Sequence, residues 1–347
     1  MKQKLKLAKH TQEDIFPHAN TVVCMEENKL LKRFQYEILY AADGLEGTLK
    51  ELNDINYFSS YDDADVYNYT TLMGGITKET MLLLKSIAPN PDIWRAFVLE
   101  YDIHNMKLVA KERLLNKKLD NLAFNFGSYS LSSIRSATVR ANDNILENDF
   151  LTEGFFSALE SKDMYSIDFI LDRTYLKVLK DFAIKLGNEA ITNFVIEKID
   201  LYNISAFLQM MAVDAGTDYF FKAFSDQGNF STDEWQKFFD EFFTADYADN
   251  SRRKALSDFP ALMRYGGIQK EMINPQQIFN EFDVLMDNYL IKKTTGAKLM
   301  SFGIEPICAY FYNKLMEIKN IRILLTGKKN DYPISEIRRR ERMLYEL

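Results

Sequence analysis

The stretch MEIKNIRILLTGKKNDYPISEIRRR, residues 316–340, places an acid and an amide, Glu317 and Asn320, three positions apart. The same arrangement recurs at Asp102 and Asn105 in VLEYDIHNMKL and at Asp200 and Asn203 in IEKIDLYNISA. Each copy reads acid, Ile or Leu, any residue, Asn, then Ile or Met. Chemistry needs such a pair once, whereas a packing device can recur, so the triplet reads as architecture. The acids lie 98 and 117 residues apart, too far for a solenoid repeat and suited to three helical subdomains of similar size.

The surroundings of the copies agree. Pro91, Gly187 and Pro306 precede the three asparagines by 14, 16 and 14 residues, and no further Gly or Pro follows each triplet until Gly127, Gly216 and Gly327. Pro suits a first helical turn and Gly a helix boundary, so three long helices are expected. Residues i and i+3 share a helix face, so each acid and amide faces one neighbouring segment. The asparagine, with donors and an acceptor, can hold facing backbone. Downstream, Ser132, Ser231 and Ser335 each precede a helical pattern; Ser231 with Glu234 forms a capping box. Trp235, Phe238, Phe239, Phe242 and Phe243 then make one core-facing stripe. A weaker echo pairs IDFILDRTYL with FDVLMDNYLI, placing Asp172 and Asp287 31 and 33 residues before Asn203 and Asn320. These anchors set subdomains at residues 1–130, 131–230 and 231–347.

A chain of 347 residues has ample core. Its 14 glycines and 7 prolines are about half the usual share, and no segment alternates like a sheet, although NTVVCM could be a strand or a helix end. The fold class is all-α. A net charge of −7 and a pI near 5.3 oppose nucleic-acid binding. Cys24 and Cys308, with no apolar leader after MKQKLKLAKH, suit a reduced cytosolic setting. No run approaches the length of a membrane span.

Candidate chemistry is thin. TGKK at Thr326–Lys329 lacks the phosphate loop's earlier Gly and its closing Ser or Thr, since Arg322 and Lys329 stand there. His10, His18, His104, Cys24 and Cys308 form no zinc pattern. Asp62, Asp63 and Asp65 lack calcium-loop spacing and read as a solvated loop; a metal-dependent enzyme using them is the remoter alternative, and a free-standing helical scaffold the nearer one. Asn142–Asn144 and Ala245–Ser251 are polar loop candidates. No catalytic, cofactor or metal residue is assigned. Arg338, Arg339, Arg340 and Arg342 form the strongest local charge feature, a solvated helix face or a candidate contact surface for an acidic partner.

FGIEPICAYFYNKLMEIKNIRILLTGKKN, residues 302–330, resembles the C-terminal signature of the C subunit of bacterial and archaeal V/A-type ATPases, whose eukaryotic counterpart is the d subunit. Gly303, Glu305, Pro306, Ala309, Tyr310, Glu317, Asn320, Arg322 and Lys328 stand where that pattern expects them, and the triplet fits the family's three similar helical domains. The second copy departs in lacking the basic residue that Lys107 and Arg322 supply two positions after the other asparagines. The resemblance implies a non-catalytic rotor subunit, a funnel of three helical subdomains around a central cavity. Such a protein seats on the proteolipid (c/K) ring, receives the central shaft of D- and F-type subunits and transmits torque during ATP-coupled proton or sodium transport or ATP synthesis. It would lie peripherally on the cytoplasmic face of the cell membrane, held there through the ring.

Overall fold

A computed structural model describes residues 16–58, 68–138, 146–244, 251–265, 275–300 and 302–345. Among these the chain is helical without a β-strand, and no helix is long and apolar enough to cross a membrane. NTVVCM lies within a helix. The chain divides into two compact units, residues 1–94 with 287–347, and residues 95–286.

The first unit contains α1 (Pro17–Glu27), α2 (Arg33–Ala41), α3 (Gly44–Asp54), α4 (Tyr69–Ile87) and the first residues of α5 (Pro91–Leu115). From the other end of the chain come the part of α14 (Pro275–Thr294) from Asp287 onward, α15 (Glu305–Lys329) and α16 (Ile334–Arg339). Pro306 sits in the first turn of α15, where its missing N–H removes no helical bond. Ile318, Ile321, Leu324 and Leu325 of α15 pack against Tyr36, Leu39, Leu49, Leu52, Met73 and Ile337. Ile307, Tyr310 and Phe311 of the same helix are also buried. A helix apolar around its circumference belongs inside, which explains the density of large side chains in residues 302–330. Gly327 does not end this helix. A Cβ there would strike Ile337, so the glycine lets α16 approach closely.

In the second unit the remainder of α5 is followed by α6 (Leu131–Ala137), α7 (Asp149–Glu160), α8 (Met164–Lys185) and α9 (Glu189–Ala212). Then come α10 (Thr217–Ala223), α11 (Thr232–Thr244), α12 (Ser251–Asp258), α13 (Pro260–Arg264) and the start of α14. Three short polar side chains start the central helices: Asn148 accepts from the Leu151 N–H at 3.0 Å, Asp163 from Ser166 at 2.8 Å and Asn188 from Ile191 at 3.0 Å, each contributing about 1 kcal/mol. Gly187, at φ 67°, takes the left-handed turn between α8 and α9 that a Cβ would strain. Leu99, Ile103 and Met106 share a core with Ile134, Phe155, Leu171 and Ile199.

The aromatic stripe of α11 closes a second cluster in this unit. Trp235, Phe238, Phe239 and Phe242 are buried around Phe207, and Phe259 stacks on Phe238 with centroids 4.1 Å apart. Phe243 is the exception, 44% exposed. Ser231 and Glu234 form the capping box, with the Ser231 N–H on Oε2 at 2.7 Å and the Glu234 N–H on Oγ at 3.3 Å. The flanking serines behave otherwise. Ser130, not Ser132, caps α6, and Pro333, whose ring presets φ, precedes α16 with Ser335 already inside it.

Candidate functional site: acid and amide brackets

All six triplet side chains are buried, none more than 6% exposed. The three asparagines make the same pair of bonds. Asn105 donates to the Phe124 carbonyl at 2.9 Å and accepts from the Phe124 N–H at 3.0 Å. Asn203 does so with Ser225 at 2.8 and 2.9 Å, and Asn320 with Arg342 at 3.0 and 2.8 Å. The partners lie 19, 22 and 22 residues downstream. Holding both polar groups of one backbone residue requires a donor and an acceptor side by side, which a carboxamide has and a carboxylate lacks. Each helix thereby grips its own downstream segment, as a neighbouring strand would.

The acids extend the grip in two copies. Asp102 accepts from the N–H groups of Ser128 and Tyr129 at 3.0 and 3.2 Å. Asp200 accepts from the Asn229 N–H at 2.7 Å, its Nδ2 at 2.6 Å and the Tyr265 hydroxyl at 2.6 Å. In both cases the residue before the donors is glycine, Gly127 or Gly228, at which a Cβ would collide with the aspartate oxygen. Burial raises the Asp102 carboxyl to about 6, against the opposing pull of the Ser128 and Tyr129 N–H groups. Burial, and after it the bond to Asp200, also raises the Tyr265 hydroxyl.

Glu317 differs. Its longer side chain accepts from the Leu31 N–H at 2.6 Å and from Lys314 Nζ at 2.6 Å. At the position that answers to Ser128, the Met343 N–H is held by Asn288 at 2.7 Å instead. The turn before α2 takes its place, 286 residues upstream.

The upstream aspartates also recur as ion-pair partners. Asp172 receives Lys107 at 2.6 Å, and burial raises its carboxyl against that lysine's pull. Asp287 receives Lys319 at 2.6 Å and Arg342 Nε at 2.8 Å. Arg322, the sequence counterpart of Lys107, is exposed, so the basic position two residues after the asparagine has different surroundings in the two copies.

The arginine run splits. Arg342 is 5% exposed and turned onto Asp287 and the Arg340 carbonyl, the latter at 2.8 Å. Arg338 pairs with Glu37, Nη1 to Oε1 at 3.0 Å, and lies over the Tyr40 ring at 4.4 Å. Arg339 pairs with Glu336 at 3.2 Å, and Arg340 is exposed. In TGKK, Lys328 donates to the carbonyls of Tyr40 and Ala42 at 2.9 and 2.5 Å, closing the C-terminal end of α2; burial lowers its ammonium.

Asp62, Asp63, Asp65, His10, residues 142–144 and residues 245–250 lie outside the described residues. Among the described residues no group of three His, Cys, Asp or Glu side chains is placed to hold a metal. His104 faces the Leu122 carbonyl at 3.0 Å, and Cys24 is exposed. Sequence reading missed Gly127 and Gly228 as partners of the acids, although a glycine 25 or 28 residues after each aspartate was a readable signal. Leu31 carried no signal, because Glu317 takes only its backbone N–H.

The six triplet side chains are buried and bonded mainly to the chain's own backbone, within a structure that is all-helical among the described residues. The chain belongs to the ATP synthase (C/AC39) subunit family, whose model matches residues 19–340; this is a non-catalytic subunit of the ATPase complex. The chain is 24% identical to the C subunit of the V-type sodium ATPase of Enterococcus hirae, over 94% of this chain and 98% of that one. It is also 24% identical to the C subunit of the A-type ATP synthase of Methanosphaera stadtmanae, over 93% and 86%.

Proposed function

We propose that this protein is the rotor adaptor of its ATPase, seated on the proteolipid ring at the cytoplasmic face of the membrane and joined to the central shaft of D- and F-type subunits. The family match over residues 19–340 carries the reading, with two relatives from V-type and A-type complexes aligned over nearly the whole chain. Torque would pass through three helical subdomains, residues 1–130, 131–230 and 231–347, each fastened by one bracket. Stiffness is the mechanical requirement, and densely packed interiors are poorly compressible. The brackets at Asn105, Asn203 and Asn320 support this, since each ties a long helix to the segment that follows it. One relative's name says sodium ATPase and the other's ATP synthase, so neither coupling ion nor direction is assigned. Arg338, Arg339 and Arg340 remain the candidate contact surface.

Affinity purification of the tagged chain from detergent-solubilised membranes of its source tests this. Recovery of proteolipid together with shaft subunits is the expected result, and recovery of neither overturns the proposal.

A further inference from the structure

The segment between α14 and α15, which begins with a 3-10 turn over Thr295–Leu299, gathers exposed apolar side chains. Leu299 is 78% exposed, the highest value for a large apolar side chain among the described residues, and Phe302 and Met300 are 62% and 45% exposed. These three sit within four positions. Between Asp287 and Glu305 there is no acidic residue, whereas Lys292, Lys293 and Lys298 are all present.

Buried amides bond the described residues on either side, Thr294 and Gly303. Asn313, itself buried, donates to Thr294 Oγ1 at 2.7 Å, fixing the end of α14. Asn20, also buried, donates to the Gly303 carbonyl at 3.2 Å, fixing the start of α15. Gly303 takes φ 107°, a conformation a side chain would strain, and a Cβ there would also crowd the Glu305 carboxylate. Two buried amides and a constrained glycine thus present apolar side chains to the outside. Lys292 and Lys293 are exposed at the end of α14, Lys293 over the Tyr289 ring at 5.0 Å. Lys298 lies over the Tyr345 ring at 4.8 Å and is also drawn to the half-buried Glu27 carboxylate.

We propose that this loop is a lipid-contact site, with Leu299, Met300 and Phe302 entering the headgroup region of an anionic bilayer and Lys292 and Lys293 facing its phosphates. Apolar groups flanked by lysine are matched by a surface that offers hydrocarbon under negative charge. The alternative occupant, an acidic protein surface, would satisfy the lysines but gives no comparable reason for a cluster of aliphatic and aromatic side chains at the tip. The contact needs neither ring nor shaft, so it goes beyond the adaptor reading and fails separately from it.

The test is flotation of the full chain with protein-free vesicles. Binding is expected with phosphatidylglycerol vesicles, weaker with pure phosphatidylcholine and diminished by salt. The triple variant Leu299→Ser, Met300→Ser, Phe302→Ser should bind about tenfold less or weaker still, with its far-ultraviolet circular dichroism unchanged because the replaced side chains are exposed. In a second measurement, the Phe302→Trp variant should shift its tryptophan emission to the blue on adding the anionic vesicles. No flotation with anionic vesicles, flotation undiminished in the triple variant, or an unshifted emission of the Phe302→Trp variant overturns the proposal.

Discussion

Asn203 holds Ser225 by both of its backbone groups, donating to the carbonyl at 2.8 Å and accepting from the N–H at 2.9 Å. Ser225 is 3% exposed, so in the folded protein those bonds are shielded from solvent. Asn203→Ala therefore removes two bonds and strands two buried polar groups, a loss of about 2–4 kcal/mol. Asn203→Asp keeps the acceptor but sets a second oxygen against the carbonyl, so it should not rescue the alanine variant at neutral pH. Urea unfolding midpoints of the three proteins, followed by circular dichroism, decide the matter; an Asp variant as stable as wild type would refute the two-sided grip.

Much of this was legible beforehand because it is written in side-chain types. The acid and amide spacing, the Ser231 and Glu234 box and the α11 stripe all announce themselves by residue identity. The partners do not. Phe124, Ser225, Arg342 and Leu31 are held by backbone atoms that every residue but proline possesses, and only the fold brings them within reach. Arg342 misled for a related reason. A run of arginines reads as a solvated face, and nothing in the run itself tells which member finds Asp287, 55 residues upstream.

Gly127 and Gly228 should tolerate no side chain. Alanine at either forces the Asp102 or Asp200 carboxylate aside and loosens the bonds to Ser128 and Tyr129 or to Asn229, at a cost of about 1–3 kcal/mol. Gly74, inside α4 with nothing within 4 Å of its would-be Cβ, supplies the control. There alanine should stabilise by about 0.5–1 kcal/mol. Melting temperatures of the three variants that fell in the same direction would sink the steric account.

Asp102 predicts a pH dependence with a defined sign. Its folded carboxyl titrates at about 6, above the ordinary 3.8, so between these values the folded state binds the extra proton. Stability contributed by this group is then greatest below about pH 4 and is lost as pH rises through 6. Asp102→Asn removes the titration. On going from pH 7 to pH 5 wild type should gain stability relative to Asp102→Asn, the full span being on the order of 3 kcal/mol. Parallel melting curves across that range would show that the carboxylate is not strained by burial.

Glu317 is the one acid in the triplets with an extra methylene, and its reach to Leu31 uses it. Glu317→Asp should release the Leu31 amide, whereas Glu317→Gln keeps an acceptor at the same distance. Hydrogen exchange of that amide is the readout, with faster exchange in the Asp variant and near-wild-type protection in the Gln variant. Equal protection in both would mean that another group holds the turn before α2.

Within the arginine run, stability and surface roles should separate. Arg342→Ala leaves Asp287, itself 5% exposed, still paired with Lys319, so the loss is that of a charged hydrogen bond, about 1.5–3 kcal/mol. Arg340→Glu alters an exposed side chain, and such changes stay within about 0.5 kcal/mol. If the exposed end of the run meets an acidic partner, Arg340→Glu should lower recovery of other ATPase subunits in the affinity purification at an unchanged melting temperature. Arg342→Ala should lower the melting temperature whether or not a partner is present. A destabilised Arg340→Glu, or an Arg342→Ala as stable as wild type, would reverse the division of labour that the Asp287 contact assigns.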